Sequence, residues 1–336
     1  MSRTVAIVGA TGAVGRTMLS VLEQRRFPAD RIRLIASARS AGTKMDTAWG
    51  AVEVEDLAET DPAGIDIALF SAGGDRSREH AHRFAAAGAV VIDNSSAFRM
   101  VPDVPLVVVG VNDDAVGRHK GIIANPNCST MALMMAAAPL HRAAGLESMV
   151  AVTYQSVSGS GQKGVDELIE QTDFLRPDVE GLMDGTAPEP QPKLFRRPIG
   201  FNVLPYAGSA SGDEGYTDEE LKLINETRKI LDAPGIRVEP TCVRVPVVTG
   251  HGVAATMWFS RPVAVEEAES LLTGAPGLEL WTDEIPTPQD CAGRDEVLAG
   301  RVRPTLGSPG GISLWVVGDN LRKGAALNAV QIAELL

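Results

Sequence analysis

The chain predicts an α/β fold in which a Rossmann-like, doubly wound parallel sheet is followed by a second α+β domain. Three observations carry this. A β-branched apolar run, Thr4–Val8, breaks at once into Gly9-Ala10-Thr11-Gly12-Ala13-Val14-Gly15. Short apolar strands then alternate with helix-patterned stretches to about residue 130, the signature of parallel βαβ units. Beyond it, longer β-rich segments with partial alternation take over, as in a mostly antiparallel sheet. A chain of 336 residues also exceeds one ordinary core and suits two domains.

Taken in order, Thr4–Val8 is apolar throughout and reads as a buried parallel strand. After the glycines, Val14, Met18, Val21 and Leu22 recur at helical spacing. Residues 32–36, 65–70, Val90–Asp93 and 106–109 read as further strands, with an alanine-rich helix at 78–87. In the second half, strands are expected at 149–157, 236–248 and 253–260, and helices at 164–175 and 218–231. Such a sheet often serves dimerisation, so a homodimer or homotetramer is expected. Residues 177–215, rich in Pro, Gly and acids, predict an extended loop. From Asn320 the tail places Ala325, Ala329, Ile332 and Leu335 on one side of a helix. The domains are expected at 1–129 and 130–319, with 320–336 packing back on the first.

Composition narrows the function. Hydrophobic residues at 44% and charged residues at 22% are those of a globular chain. A net charge of −12 excludes a general nucleic-acid or acidic-membrane surface, so cations for any anionic ligand must be individually placed. No apolar run approaches the ~18–20 residues of a membrane helix, and no signal pattern opens the chain, so a cytoplasmic protein is expected. The three cysteines, Cys128, Cys242 and Cys291, are odd in number and widely spaced, which suits free thiols. No metal-ligand spacing stands out.

Two motifs carry chemistry. In the glycine loop, glycines make the tight turn, admit the pyrophosphate to the backbone and place it on a helix N-terminus. Gly9, Thr11, Gly12, Ala13 and Val14 are the candidate contacts; the alternative is a tight βα turn with no ligand. An NAD-preferring site would carry an acid about 20 residues on. Here Ser37-Ala38-Arg39-Ser40 stands instead. Ser37, Arg39 and Ser40 suit a 2′-phosphate, so NADP(H) is expected, against the alternative of a solvated surface arginine. Ser71 and Gly73 follow the 65–70 strand where they could line the cofactor groove. The second motif is Asn125-Pro126-Asn127-Cys128-Ser129-Thr130, an Asn-Pro turn opening into an apolar helical run. A helix N-terminus favours thiolate over thiol, so Cys128 is the candidate nucleophile. A buried structural cysteine is the alternative.

These motifs, with Asp93-Asn94-Ser95-Ser96-Ala97-Phe98-Arg99, Tyr154-Gln155-Ser156-Val157-Ser158-Gly159 and the stretch from Arg244 to Gly252, resemble the bacterial aspartate-semialdehyde dehydrogenase family almost end to end. The resemblance implies NADPH-dependent conversion of L-aspartyl 4-phosphate to L-aspartate 4-semialdehyde, with release of phosphate, on the route to lysine, methionine and threonine. It implies a Cys128 thioester, His251 as acid/base with an unperturbed pKa near 6.5, and Gln155 orienting the acyl group. Arg244 would grip the substrate carboxylate and Glu219 its amino group, while Arg99 and Lys222 would bind phosphate. Three apart on a predicted helix, Glu219 and Lys222 share a face; the alternative is an exposed salt bridge. Asn127 and the Cys128 N–H are candidates for the oxyanion. Ser158, Gly159 and Asn320 match contacts to the nicotinamide. One departure is visible: Val109-Gly110 stands where the family usually has Pro-Glu. Two rivals are an N-acetyl-glutamyl-phosphate reductase-like enzyme, which usually has Gly where this chain has Asn127, and an inactive relative acting as a binding protein.

Overall fold

In a computed structural model, which describes residues 3–336, the chain divides into two compact units. One comprises the chain up to Ala138 with Asn225–Pro234 and Leu321–Leu336; the other comprises Pro139–Ile224 and Gly235–Asn320. The division therefore falls inside a helix that begins at Cys128, and a short segment after residue 224 joins the first unit.

The first unit runs β1 (Thr4–Val8), α1 (Ala13–Gln24), β2 (Arg31–Ala36), β3 (Lys44–Thr47), β4 (Gly50–Asp56), β5 (Ile67–Phe70), α2 (Gly74–Ala86), β6 (Val90–Asp93) and β7 (Ile122–Ala124), and on into α3 (Cys128–Ala144). Its sheet has the order β3-β4-β2-β1-β5-β6-β7, and only the β3–β4 pairing is antiparallel. The chain leaves β1 towards β2 on one side and returns to β5 on the other, so the strand order reverses at β1. Open α/β sheets bind ligands beyond the strand ends at such a reversal, where the glycine loop lies.

The expected strand at 106–109 forms only a single bridge, Leu106 to Ala124. Asparagine side chains replace a neighbouring strand there. Asn112 Nδ2 donates to the Leu106 carbonyl, and its Oδ1 accepts the Val108 N–H. Asn328 Nδ2 donates to the Val107 carbonyl, and its Oδ1 accepts the Val109 N–H. The ladder runs instead through β7, three residues too short to register as a pattern. At the family's departure point, Asp113 Oδ1 accepts the Gly110 N–H at 2.6 Å and closes the loop with its own acid.

The second unit contains β8 (Leu146–Gln155), α4 (Gln162–Leu175), α5 (Val179–Asp184), most of α6 (Asp218–Ile230), β9 (Arg237–Arg244), β10 (His251–Phe259), α7 (Val265–Thr273), β11 (Leu278–Trp281), α8 (Pro288–Cys291), β12 (Val297–Pro304) and β13 (Ile312–Gly318). Its sheet has the order β11-β12-β13-β10-β8-β9. Pairings β12–β13, β13–β10 and β10–β8 are antiparallel, whereas β11–β12 and β8–β9 are parallel. Parallel pairing sets Gln155 opposite Arg244 at the carboxyl ends of β8 and β9. Antiparallel pairing sets Gly252 of β10 opposite Tyr154. One end of this sheet thus receives Gln155, Arg244 and His251 together.

A π-helical turn, Arg322–Ala326, leads into α9 (Leu327–Glu334), whose Leu327, Val330 and Ile332 are buried in the first unit's core with Met18, Leu22, Leu34 and Leu69. Among the described residues no helix is long and apolar enough to cross a membrane.

Candidate active site

The predicted site residues divide between the two units. In the first, the turn before Cys128 is pinned at several points. Asn127 Oδ1 accepts the N–H groups of Ser129 at 2.9 Å and Thr130 at 3.4 Å, so Asn127 caps α3. This cap is a role the sequence reading had not given it, and it commits the side-chain oxygen; an oxyanion contact would fall to the amide nitrogen. Glu226, 1% exposed, accepts the Asn127 N–H through Oε2 at 2.7 Å and Arg99 Nη1 through Oε1 at 3.0 Å. Arg99 in turn donates from Nε to the Asn125 carbonyl and from Nη2 to the Asn94 carbonyl. Lys229 Nζ gathers the carbonyls of Arg99, Val101 and Val104. Arg99 is therefore a brace of the Cys128 turn. Glu226 escaped the sequence reading because a glutamate on a charged helix looks like a solvated face.

The three thiols differ. Burial pushes Cys242 and Cys291 up to about 12, so both stay protonated. Cys128 is only half-buried.

The glycine loop has the shape an anion needs. Gly9 lies at φ +94°, and a Cβ there would come within 2.3 Å of the Ser71 carbonyl oxygen. Gly12, the N-cap of α1, supplies no side-chain cap, leaving that helix end to a ligand. Ala13 is exposed and Val14 half-buried in the first turn. Gly73 stands in the same position before α2, again without a side-chain cap. Thr11 Oγ1 donates to Ser40 Oγ at 3.3 Å. Ser37 is half-buried, and Arg39 is exposed in the turn after β2. These residues fit a dinucleotide phosphate.

In the second unit, His251 is 1% exposed. Its Nδ1 accepts the Ser156 N–H at 3.1 Å and lies 3.0 Å from Ser156 Oγ. Burial, reinforced by the Arg244 guanidinium, pushes its pKa down to about 3. That lies well below the unperturbed value near 6.5, so the buried ring favours its neutral form. Nε2 is buried with no hydrogen-bond partner. A Cβ built on Gly159 would lie 3.2 Å from that Nε2 and 3.3 Å from Arg244 Nη1. The absence of a side chain at Gly159 thus leaves open a space that both groups face.

Arg244 Nη1 donates to the Ser156 carbonyl at 2.7 Å, and its guanidinium lies 5.8 Å from the centre of the Phe195 ring. Gln155 Nε2 donates to Glu219 Oε2 at 3.4 Å. Lys222 Nζ pairs with Glu219 at 2.7 Å and Asp218 at 2.6 Å. Burial works against the Lys222 charge, but its two acidic partners outweigh it and hold the pKa above the ordinary lysine value. The pair is half-buried rather than an exposed bridge. Asn320 Oδ1 accepts the Gly250 N–H at 2.9 Å, and Asn320 Nδ2 donates to Ser158 Oγ at 3.0 Å. Both residues thereby steady the backbone beside His251.

Two family models match the chain: "Semialdehyde dehydrogenase, NAD binding domain" over residues 4–119 and "Semialdehyde dehydrogenase, dimerisation domain" over residues 137–323. Aspartate-semialdehyde dehydrogenase of Streptomyces akiyoshiensis is 55% identical, covering 99% of this chain and 98% of that protein. That of Mycolicibacterium smegmatis is 51% identical over the same shares. The crystal structure of aspartate semialdehyde dehydrogenase II of Vibrio cholerae complexed with ASA superposes with a TM-score of 0.93 at 46% identity, covering 100% of this chain and 98% of that one. The chain belongs to the aspartate-semialdehyde dehydrogenase family.

Proposed function

We propose that this protein converts L-aspartyl 4-phosphate to L-aspartate 4-semialdehyde and phosphate, reversibly, through a thioester on Cys128, in the biosynthesis of lysine, methionine and threonine. The observation that supports it most directly is the state of the thiols. Of three cysteines, only Cys128 is not buried, and it opens a helix behind a neutral cap in a chain matched over its full length by enzymes of this activity. The thiolate attacks the acyl carbon and expels phosphate, splitting one difficult conversion into two easier ones. Bound NADPH supplies the hydride that reduces the thioester.

Within this reading Arg244 clamps the substrate carboxylate, Glu219 meets its amino group, and Gln155, already bonded to Glu219, orients the acyl group. Lys222 and Arg99 bind phosphate. Asn127 and the Cys128 N–H stabilise the oxyanion. Gly9, Thr11, Gly12, Ala13, Val14, Ser71 and Gly73 receive the dinucleotide, with Ser37, Arg39 and Ser40 at its 2′-phosphate and Ser158, Gly159 and Asn320 at its nicotinamide. The protein acts in the cytoplasm as a homodimer. The test is NADP reduction by the purified protein with aspartate semialdehyde and phosphate. Semialdehyde-dependent absorbance, abolished in Cys128→Ala, is expected; no absorbance from the intact protein sinks the reading.

A further inference from the structure

Glu167 and Gln171, each 3% exposed, lie one turn apart on α4 and turn their side-chain oxygens to the backbone of a loop. Glu167 accepts the Lys193 N–H through Oε1 at 2.9 Å and the Leu194 N–H through Oε2 at 2.6 Å. Gln171 Oε1 accepts the Ile199 N–H at 2.7 Å and the Gly200 N–H at 3.0 Å, while its Nε2 donates to Glu167 Oε1 at 2.9 Å. Gly200 permits this approach, since a Cβ there would come within 2.8 Å of Gln171 Cβ. The segment 193–200 contains no helix or strand, so these bonds fix both its ends.

Between the two fixed ends stands Phe195. Its ring packs on the small core of Val157, Leu168, Ile199 and Leu204 and reaches the first turn of α4, where a Cβ on Gly164 would lie 3.4 Å from Phe195 Cζ. The Arg244 guanidinium lies over that ring, 5.8 Å from its centre. Arg244 is 7% exposed and donates from Nη1 to the Ser156 carbonyl. An aromatic face attracts a guanidinium, and does so more strongly where water is excluded.

We propose that Phe195, held by Glu167 and Gln171, is the aromatic wall of the substrate-carboxylate subsite and fixes the Arg244 guanidinium that grips the carboxylate. All three are positioning residues, because they act on the substrate through Arg244. The inference rests on the proposed activity, which gives Arg244 that carboxylate. A planar guanidinium grips a carboxylate through two parallel bonds, so the orientation of its plane decides the grip. The bond to Ser156 holds one nitrogen, and the ring restrains the plane. The carboxylate makes and breaks no covalent bond and stays bound throughout. Loosening its grip therefore weakens ground state and transition state together, which raises KM more than it lowers kcat. Loss of stability alone would not single out one substrate.

The test is steady-state kinetics of the full chain in the direction of semialdehyde oxidation, with KM measured separately for semialdehyde, NADP and phosphate. Phe195→Leu keeps apolar bulk and loses the ring, so it should raise the semialdehyde KM roughly 2- to 30-fold, with smaller changes in kcat and in the other two KM values. Phe195→Tyr restores the ring face and should recover most of that loss. Glu167→Ala and Gln171→Ala should raise the same KM, and their effects should shrink in the Phe195→Leu background, where the clamp has no ring left to place. A semialdehyde KM in Phe195→Leu equal to the native value, or an equal rise in all three KM values, overturns the proposal and leaves the activity standing. A lower Tm in Glu167→Ala with an unmoved semialdehyde KM overturns the part given to the clamp. No turnover by the native chain sinks the proposed activity instead, and this inference with it.

Discussion

Cys128 sits where one neighbouring charge would change its chemistry. Asn127 caps α3 with an amide oxygen, satisfying the Ser129 and Thr130 N–H groups without placing a negative charge beside the thiol. Aspartate caps a helix as well as asparagine does, but its carboxylate would oppose a thiolate next to it. Asn127→Asp is therefore expected to leave α3 folded and raise the midpoint of Cys128 alkylation by roughly one pH unit. The pH dependence of iodoacetamide labelling, read by mass spectrometry, checks this, and an unmoved midpoint refutes it. Arg39 offers a second residue-scale test. It is exposed in the turn after β2, and the partner proposed for it is the cofactor's 2′-phosphate. A charge-assisted bond to a 2′-phosphate is worth about 1.5–3 kcal/mol. Arg39→Ala should lower kcat/KM roughly 10- to 100-fold for NADP and little for NAD. Equal losses for both cofactors would leave Arg39 without that role.

Helix α6 shows how an element can carry more than its sequence advertises. Its first turns present Glu219 and Lys222, and its last present Glu226 and Lys229, which brace Arg99 and the Cys128 turn. Glu226→Ala removes the acceptor for the Asn127 N–H and breaks the buried Arg99–Glu226 pair. Breaking a buried pair in this way costs about 3–5 kcal/mol, so a clear fall in Tm is expected. Glu226→Gln, which keeps one acceptor, should fall between, and equal Tm for all three proteins would show that the brace is idle. Strand β8 predicts assembly. Its burial alternates, with Met149, Ala151, Thr153 and Gln155 inward and Val150 and Tyr154 exposed. An apolar outer face on a sheet is a surface for a partner, and a second copy of this chain satisfies it. Val150→Glu should convert dimer to monomer by light scattering without loss of helicity; a variant that stays dimeric places the interface elsewhere. The partial alternation of β8 and the continuous apolar run of β1 were legible in the sequence because each is a local pattern of burial. Strand β7 and the 106–109 segment were not. Strand β7 is three residues long, and the backbone partners of the 106–109 segment include asparagine side chains, one of them 219 residues away, which no local pattern encodes. Cys128, Arg244 and His251 stood out in the sequence as residue types, but the burial that lowers the His251 pKa did not, because it depends on packing that no local pattern encodes.

At the scale of the whole molecule, that buried histidine ties stability to pH. His251 has a folded pKa of about 3 and an unfolded value near 6.5. Above 6.5 neither state binds the proton. Below it the unfolded chain takes up a proton that the folded chain refuses until about pH 3, so stability falls as pH drops through that window. Burial lowers His141 and His80 too, which adds to the loss in the same direction. Asp93 opposes them. Burial raises its pKa, against the pull of its Ser77 and Ser95 hydrogen bonds, so the folded state holds its proton more tightly and gains on acidification. A stability curve of the native protein alone would mix these contributions. Comparison with His251→Gln cancels every group but one. Between pH 7.5 and pH 5.0 the native chain should lose about 2 kcal/mol more than the variant, since each pH unit below 6.5 is worth about 1.4 kcal/mol for a group that stays neutral when folded. Urea unfolding at the two pH values, followed by the transition of the unit that contains His251, measures the difference. Parallel losses in both proteins would mean that His251 takes up its proton in the folded state, and the neutral, buried imidazole would have to be abandoned.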